Sequence, residues 1–326
     1  MALEGTLFIL VGPSGAGKNT LMKRVQRQLG DLPQLPTATT RAKRDDEEEG
    51  REHHFVSREA FQHLIDTAAL IEYQPVHMGN LYGTPRQTVE QALGAGRDLI
   101  ADIEVLGAGK IYEAYPDNTV LIFVTPSRLD TLAERIRQRG GITPKAAANR
   151  LERAKFEMTF APKCHYLILN DILEPAVEHL RQIIVSERRR EKTDHTAGLL
   201  SRPVFHSAAV GLIQHADQLL MRANSVSDEL PTFPITDQTQ LPHDVLKQAI
   251  QETLGYSINI DAISDKRFDF IAPHYVTMTS IPQDVYLYFY YKCTQSRQES
   301  VSTPGWVWRS LADLRLPAAI KKLVAW

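Results

Sequence analysis

Three observations predict an α/β architecture for the first 190 residues, followed by a separate α+β domain. Short continuous apolar runs alternate with amphipathic segments; a glycine-rich loop joins the first run to the first amphipathic segment; and the pattern changes character near residue 188. Alternation of this kind predicts a parallel sheet with helices on both faces. With 326 residues the chain also exceeds what one core usually organises, so two domains are expected.

The elements follow in order. Residues 6–11 (TLFILV) form a continuous apolar run ending at Gly12, as a strand buried on both faces does. From Lys18 to Leu29, Leu21, Val25 and Leu29 recur at fourfold spacing, which marks one helix face. Buried strands are expected again at 98–103 (DLIADI), 119–124 (TVLIFV) and 166–169 (YLIL), with helices over 88–93, 129–137, 144–158 and 174–190. The charged stretch through Lys192 ends the last of these, and the polar, turn-rich residues 191–203 read as a linker. In 204–326, strands are expected at 207–213 and 218–221 around a turn at His215, Ala216 and Asp217, with a helix over 244–255 and an aromatic strand over 286–292.

Composition narrows the function. A net charge of -2 carries no global basic field, so a nucleic-acid partner is not expected. The two cysteines, Cys164 and Cys293, fall in no ligand spacing, which argues against a disulfide framework or a structural zinc. No apolar stretch approaches a membrane span and the N-terminal run lacks the features of a signal peptide. The expected setting is cytoplasmic.

Gly12-Pro13-Ser14-Gly15-Ala16-Gly17-Lys18-Asn19-Thr20 stands between the first strand and the first helix. Glycines let successive backbone N–H groups turn inward around phosphate oxygens, and the helix start adds positive potential. Lys18 would neutralise the β- and γ-phosphates of ATP. The hydroxyl usual after the lysine is replaced by Asn19, leaving Thr20 as the candidate ligand for Mg²⁺ alongside the ATP phosphates and water. This is the loop of the P-loop NTPase fold, and by itself it names no substrate.

Further segments supply one. The run from Thr37 through Arg41, Arg44, Glu47, Gly50 and His53 to Phe55 resembles the acceptor-binding segment of guanylate kinases. So do Glu72 followed by Gly79-Asn80-Leu81-Tyr82-Gly83-Thr84, the stretch Ala101-Asp102-Ile103-Glu104-Val105-Leu106-Gly107, and the series Arg135, Arg139, Arg150 and Asn170. The resemblance covers about residues 4–190 in one order. It implies an ATP-dependent nucleoside-monophosphate kinase that transfers the γ-phosphate of Mg-ATP to GMP or dGMP. Thr37, Arg41, Arg44, Glu47, His53 and Tyr82 would then surround the acceptor phosphate and sugar. Planar guanidinium forks suit that phosphate. Glu72, Thr84 and Asp102 would read guanine, whose N1–H and N2–H₂ donors match one carboxylate. Arg135, Arg139 and Arg150 would close over ATP as part of a lid, and Asn170 would contact adenine. The catalytic set is Lys18, Arg41, Arg139 and Arg150.

The match departs at three places. His53 replaces a tyrosine, Leu106 replaces a glutamine, and the stretch Gln74-Pro75-Val76-His77-Met78 is one residue longer. All three lie on the acceptor side. Two alternatives therefore stand beside the guanylate reading: a ribose 1,5-bisphosphate phosphokinase and a non-catalytic binding module of the same fold. The expected partners are ATP and GMP, with homodimerisation left open.

Residues 204–326 resemble a Nudix domain more weakly, through Ser207–Ile213, Gln218–Arg222, the helix ending at Gly255, and Trp308–Leu314. Nudix helices carry clustered glutamates for Mg²⁺. Here the matching positions are Gln248, Ala249, Glu252 and Thr253. The expectation is a Nudix-like domain without hydrolase activity.

Overall fold

In the computed structural model, residues 4–45, 47–76, 79–138, 143–190, 200, 202–216, 218–223, 228–237, 240–255, 257–260, 272–273, 275–281, 284–295, 304–316 and 318–324 are described. Arg139 with the adjoining lid residues 140–142, His77, Met78, Asp217 and most of the expected linker lie outside them. Packing divides the chain into two units, residues 1–126 with 164–202 and residues 127–163 with 203–326.

The first unit is built on a four-stranded parallel sheet. Strand β1 (Leu7–Val11) lies between β6 (Leu99–Asp102) and β7 (Thr119–Thr125), and β7 is followed by β8 (Tyr166–Leu169). Every residue of β1 is buried because helices cover both faces of the sheet. On one face Phe8, Leu10, Ile122 and Ile168 pack with Leu21, Met22 and Val25 of α1 (Lys18–Leu29) and with Leu180, Ile183 and Ile184 of α7 (Leu173–Arg190). The other face meets α4 (Val105–Ala114). Near the end of α7 the buried Glu187 accepts hydrogen bonds from the Tyr166 hydroxyl, Arg190 and Arg202.

A second, mixed sheet follows the order β3 (His53–Phe55), β2 (Thr37–Thr39), β5 (Asn80–Pro85), β4 (Leu70–Val76). The sequence pattern did not disclose it, because β2 and β3 are three residues long and β4 and β5 mix polar with apolar residues and carry prolines and a glycine. Helix α2 (Arg58–Asp66), capped by Ser57 accepting from the Ala60 N–H, seats Phe61 against Ala38 and Leu70, with Leu64, Ile65 and Leu81 around them. Helix α3 (Arg86–Gly94) leads from β5 back towards β6.

The second unit holds a sheet ordered β12 (Ile258–Ile260), β14 (Asp284–Gln295), β9 (Val204–His215), β10 (Gln218–Arg222), β15 (Trp306–Ser310), with β11 (Thr232–Ile235) pairing β9 and β13 (Tyr275–Ile281) pairing β14. Helix α8 (Pro242–Leu254) lies against β9, where Leu246 approaches Gly211. On the other side Ile320 and Val324 of α9 (Ala318–Val324) pack with Leu212, Leu219 and Met221. Of the aromatic strand, Phe289 and Tyr291 are core, while Tyr288 is exposed and Tyr286 stacks on His206 at 4.7 Å.

Residues 127–163 group with this second unit, although the sequence assigns them to a first domain ending at residue 190. Their helices α5 (Leu129–Gln138) and α6 (Pro144–Met158) join through Leu132, Ile136 and Ala154. Helix α6 also packs on β13, and the 3₁₀ turn Ala161–Lys163 packs on β9. The expected break at 191–203 is one of three places where the chain passes between units. Among the described residues no helix is long and apolar enough to cross a membrane.

Candidate active site

The carboxyl ends of the parallel strands converge on the loop at residues 12–20. The loop leaves the end of β1, Asp102 closes β6 opposite Leu10, and Asn170 follows β8. Such a strand-end crevice is where open α/β sheets place ligands. Gly12, Gly15 and Gly17 all have positive φ. At Gly17 (φ 89°) a Cβ would also sit 2.4 Å from Asn170 Nδ2, so no side chain fits.

Lys18 folds back over the loop. Its Nζ donates to Gly12 O at 2.7 Å and Pro13 O at 3.3 Å and lies 3.5 Å from Asp102 Oδ1. Asn170, expected to meet adenine, is buried beneath the loop and donates from Nδ2 to Ala16 O at 2.7 Å. Its amide therefore supports the loop backbone, a use no sequence motif announces. Asn19 and Thr20 are exposed at the start of α1.

Strand alternation explains how the residues expected on the acceptor side come together. In a pleated sheet, residues two apart share a face, and directly paired residues share it across strands. Thr37 pairs with His53, Thr39 with Phe55 and Tyr82, Tyr82 with Gln74, and Thr84 with Glu72. Thr37, His53, Tyr82, Thr84 and Glu72 thus share one face of the mixed sheet. The opposite face, through Ala38 and Leu81, is the one α2 covers.

Within that face the polar groups are tied together. Thr84 is fully buried and its hydroxyl donates to Glu72 Oε1 at 2.7 Å. Burial pushes the Glu72 carboxyl above its usual range, the Thr84 bond partly opposing it. Just past β2, Arg41 donates from Nε to the Tyr82 hydroxyl at 2.7 Å and from Nη2 to Glu47 Oε1 at 2.7 Å. The Arg44 N–H donates to the other Glu47 oxygen at 2.9 Å. Arg41, chiefly, holds Glu47 down at about 2. His53 Nδ1 shares a hydrogen bond with Thr37 Oγ1 at 2.7 Å, and its ring meets Phe55 and Tyr82 edge-on. Burial lowers its pKa, which favours the neutral ring.

The sequence reading missed Gln74. It is buried on the same face as Glu72, two residues along β4. With its amide turned to satisfy both neighbours, it donates to the Glu104 carboxylate and accepts from the Gly107 N–H at 2.7 Å. The spacing of two from Glu72 was the available signal. Of the remaining predicted residues, Arg135 lies on α5 and Arg150 on α6, both in the second unit. Among the described residues no group of three or more His, Cys, Asp or Glu could hold a metal ion.

The family profile described as guanylate kinase matches residues 4–187. The chain is 40% identical over 189 residues to the guanylate kinase of Desulfitobacterium hafniense, covering 58% of this chain and 94% of that protein. It is 39% identical to the guanylate kinase of Thermotoga maritima, covering 58% and 90%. Among solved structures, guanylate kinase from Anaplasma phagocytophilum is similar at 30% identity and TM-score 0.45, covering 57% of this chain and 87% of that one. A hydrolase of the NUDIX family from Clostridium perfringens is similar at 14% identity and TM-score 0.28, covering 37% and 91%. The match to the family profile spans more than half the chain and takes in both the loop and the mixed sheet, so the chain belongs to the guanylate kinase family and is a nucleoside-monophosphate kinase.

Proposed function

We propose that the chain transfers the γ-phosphate of Mg-ATP to GMP or dGMP, giving the nucleoside diphosphate and ADP. The observation that carries this reading is the buried Glu72–Thr84 pair on the sheet face that also presents Tyr82 and the neighbouring Arg41. A buried carboxylate with one oxygen held by a hydroxyl suits the paired N1–H and N2–H₂ donors of guanine. Adenine would leave it desolvated and unmatched, a mismatch that rejects substrates strongly.

Arg41, steadied by Tyr82 and Glu47, presents its guanidinium to the acceptor's α-phosphate, with Arg44 beside it. With the Thr37 hydroxyl donating to Nδ1, His53 carries its proton on Nε2 and donates towards the same phosphate. Thr37 is in this reading the residue that sets the tautomer. Lys18 leaves the loop carbonyls to meet the β- and γ-phosphates, and Asp102, 3.5 Å away, orients it. Asn170 keeps Ala16 and its neighbours in the phosphate-binding conformation.

The donors present fit a cation held mainly by nucleotide phosphates and water, with the Thr20 hydroxyl as its protein ligand, since no cluster of acids is described there. Mg²⁺ so held would neutralise charge building on the phosphate oxygens. The assignments of Arg135, Arg139 and Arg150 to the ATP side rest on the family resemblance of their segment. The Nudix-like second domain is proposed to lack hydrolase activity: at the helix positions that would need acids, Gln248 donates to Glu252 at 2.8 Å.

The test is coupled ADP release from Mg-ATP with GMP, dGMP, AMP, UMP and ribose 1,5-bisphosphate as separate acceptors. Turnover with GMP and dGMP, abolished by Lys18→Ala and Glu72→Ala, supports the proposal. Turnover with the sugar bisphosphate in place of GMP would overturn it.

A further inference from the structure

Gly107 is the point where β4 and α4 touch. A Cβ there would lie 2.6 Å from Glu72 Oε2 and 3.0 Å from the Gln74 amide. It is the third residue of α4, and its N–H is one of the helix-start donors without a partner inside the helix. Glu104, the residue preceding the helix, makes no side-chain capping bond. Gln74 fills the gap from the neighbouring strand: its carbonyl takes the Gly107 N–H and its amino group takes the Glu104 carboxylate. Glu72, held by Thr84 through Oε1, lies against the same glycine.

We infer that Gln74 is a positioning residue for acceptor recognition, occupying the Gly107 N–H and the Glu104 carboxylate so that the second oxygen of Glu72 stays available to the base. The physical argument is competition for one donor. Without an acceptor at position 74, Glu72 lies at hand for the Gly107 N–H, its Oε2 2.6 Å from where a Cβ on that glycine would stand, and a buried N–H does not stay unpaired. Glu72 would turn onto the backbone and offer one oxygen fewer to the acceptor. Gln74 also holds Glu104 by a neutral donor, and Glu104 is a charge that acts on Glu72. A glutamine suits this place because it has both an acceptor and a donor and adds no charge beside two carboxylates.

The inference rests on the reading of Glu72 as the base-reading carboxylate, and the experiment separates the two. Acceptor KM, ATP KM and kcat are measured from pH 5 to 9 for the full chain, Gln74→Met, Gln74→Glu, Gln74→Glu with Glu104→Gln, and Glu72→Ala. Gln74→Met should raise the KM for GMP roughly tenfold, the effect of one lost hydrogen bond, while lowering kcat less and leaving the KM for ATP in place. Gln74→Glu has the same shape but places a third carboxylate beside Glu72, so the acid limb of kcat/KM for GMP should move to higher pH. Gln74→Glu keeps an acceptor for the Gly107 N–H but loses the donor to residue 104; the double variant supplies that donor from Gln at 104 and returns the number of carboxylates to that of the parent, and should return the limb. If Glu72→Ala removes GMP binding while both single Gln74 variants keep the parent KM and pH profile, the inference is wrong and the reading of Glu72 stands. If Glu72→Ala keeps the parent KM for GMP, both fall. A Gln74→Met chain that fails to fold leaves the decision to Gln74→Asn, whose shorter amide falls short of the Gly107 N–H: a raised KM for GMP with the KM for ATP in place is expected, and the parent KM for GMP would overturn the inference.

Discussion

Replacing Glu47 with glutamine asks how far the Arg41 corner depends on charge. The native carboxylate is held at about 2, against an ordinary 4.5, by Arg41 first and then by the Arg44 N–H, with burial opposing both. At roughly 1.4 kcal/mol for each tenfold change, the full depression corresponds to about 3 kcal/mol. The pair lies just beneath the surface, with side-chain exposures of 15% and 10%, so solvent screens part of it. We expect Glu47→Gln to lose ~1–2 kcal/mol of local stability at pH 7. Because folding depresses this pKa, the native contribution is complete above about pH 4.5 and disappears as pH falls towards 2. The gap between parent and variant should close over that window. All three tryptophans, Trp306, Trp308 and Trp326, belong to the second unit, so their fluorescence does not report on this corner. The suitable assay is backbone hydrogen exchange over residues 37–55, corrected for the intrinsic pH dependence of exchange. A difference that persists undiminished at pH 2.5, or none at pH 7, would refute the electrostatic account.

Three further outcomes are expected. Thr84→Val removes the bond that holds the buried Glu72 carboxyl down, so its pKa rises further and the acid limb of kcat/KM for GMP moves upward, with the KM for ATP as control. Asn170→Ala leaves the Ala16 carbonyl without its amide donor and should weaken ATP binding about tenfold, read by calorimetry with a non-hydrolysable analogue; unchanged affinity would show that the loop holds its shape unaided. Glu187→Ala strands Tyr166, Arg190 and Arg202 around a buried vacancy and should cost roughly 2–4 kcal/mol in the first unit, seen as a lower urea midpoint by circular dichroism.

What the sequence discloses follows from the range of the physics involved. The fourfold apolar spacing that marks α1, and the helix α6 beginning at Pro144, are local signals, and both helices begin and end where the pattern places them. The parallel strands are legible because burial on both faces makes them continuously apolar. The mixed sheet is not, since β2 and β3 are three residues long, too short to show an alternation. Helix α2 had the Ser57 cap and the Phe61, Leu64, Ile65 spacing, but its charged remainder masked them. Arg41, Glu47, Tyr82, Glu72 and Thr84 are assigned to the site through family resemblance. Their mutual bonds, such as Arg41 to Tyr82 across 41 positions, come from strand register and were beyond any local pattern. The same holds for Gln74, whose partners Glu104 and Gly107 sit at the start of α4, and for Asn170, whose amide is spent on the loop rather than displayed.

The way α5 and α6 are housed bears on how the chain is made. This helical hairpin is complete by residue 158, yet the strand it rests beside, β13, leaves the ribosome only after the parallel sheet has received its last strand and helix. During synthesis the hairpin must therefore wait with part of its surface open while residues 1–126 and 164–202 can already close. Contacts of long sequence separation form late and expose apolar surface in the interval. Cutting the gene after residue 202 would fix that interval permanently: the shortened protein would carry a finished sheet and a hairpin that never meets its support. Such a fragment should bind hydrophobic dyes more than the full chain does, even with every phosphate-loop residue in place.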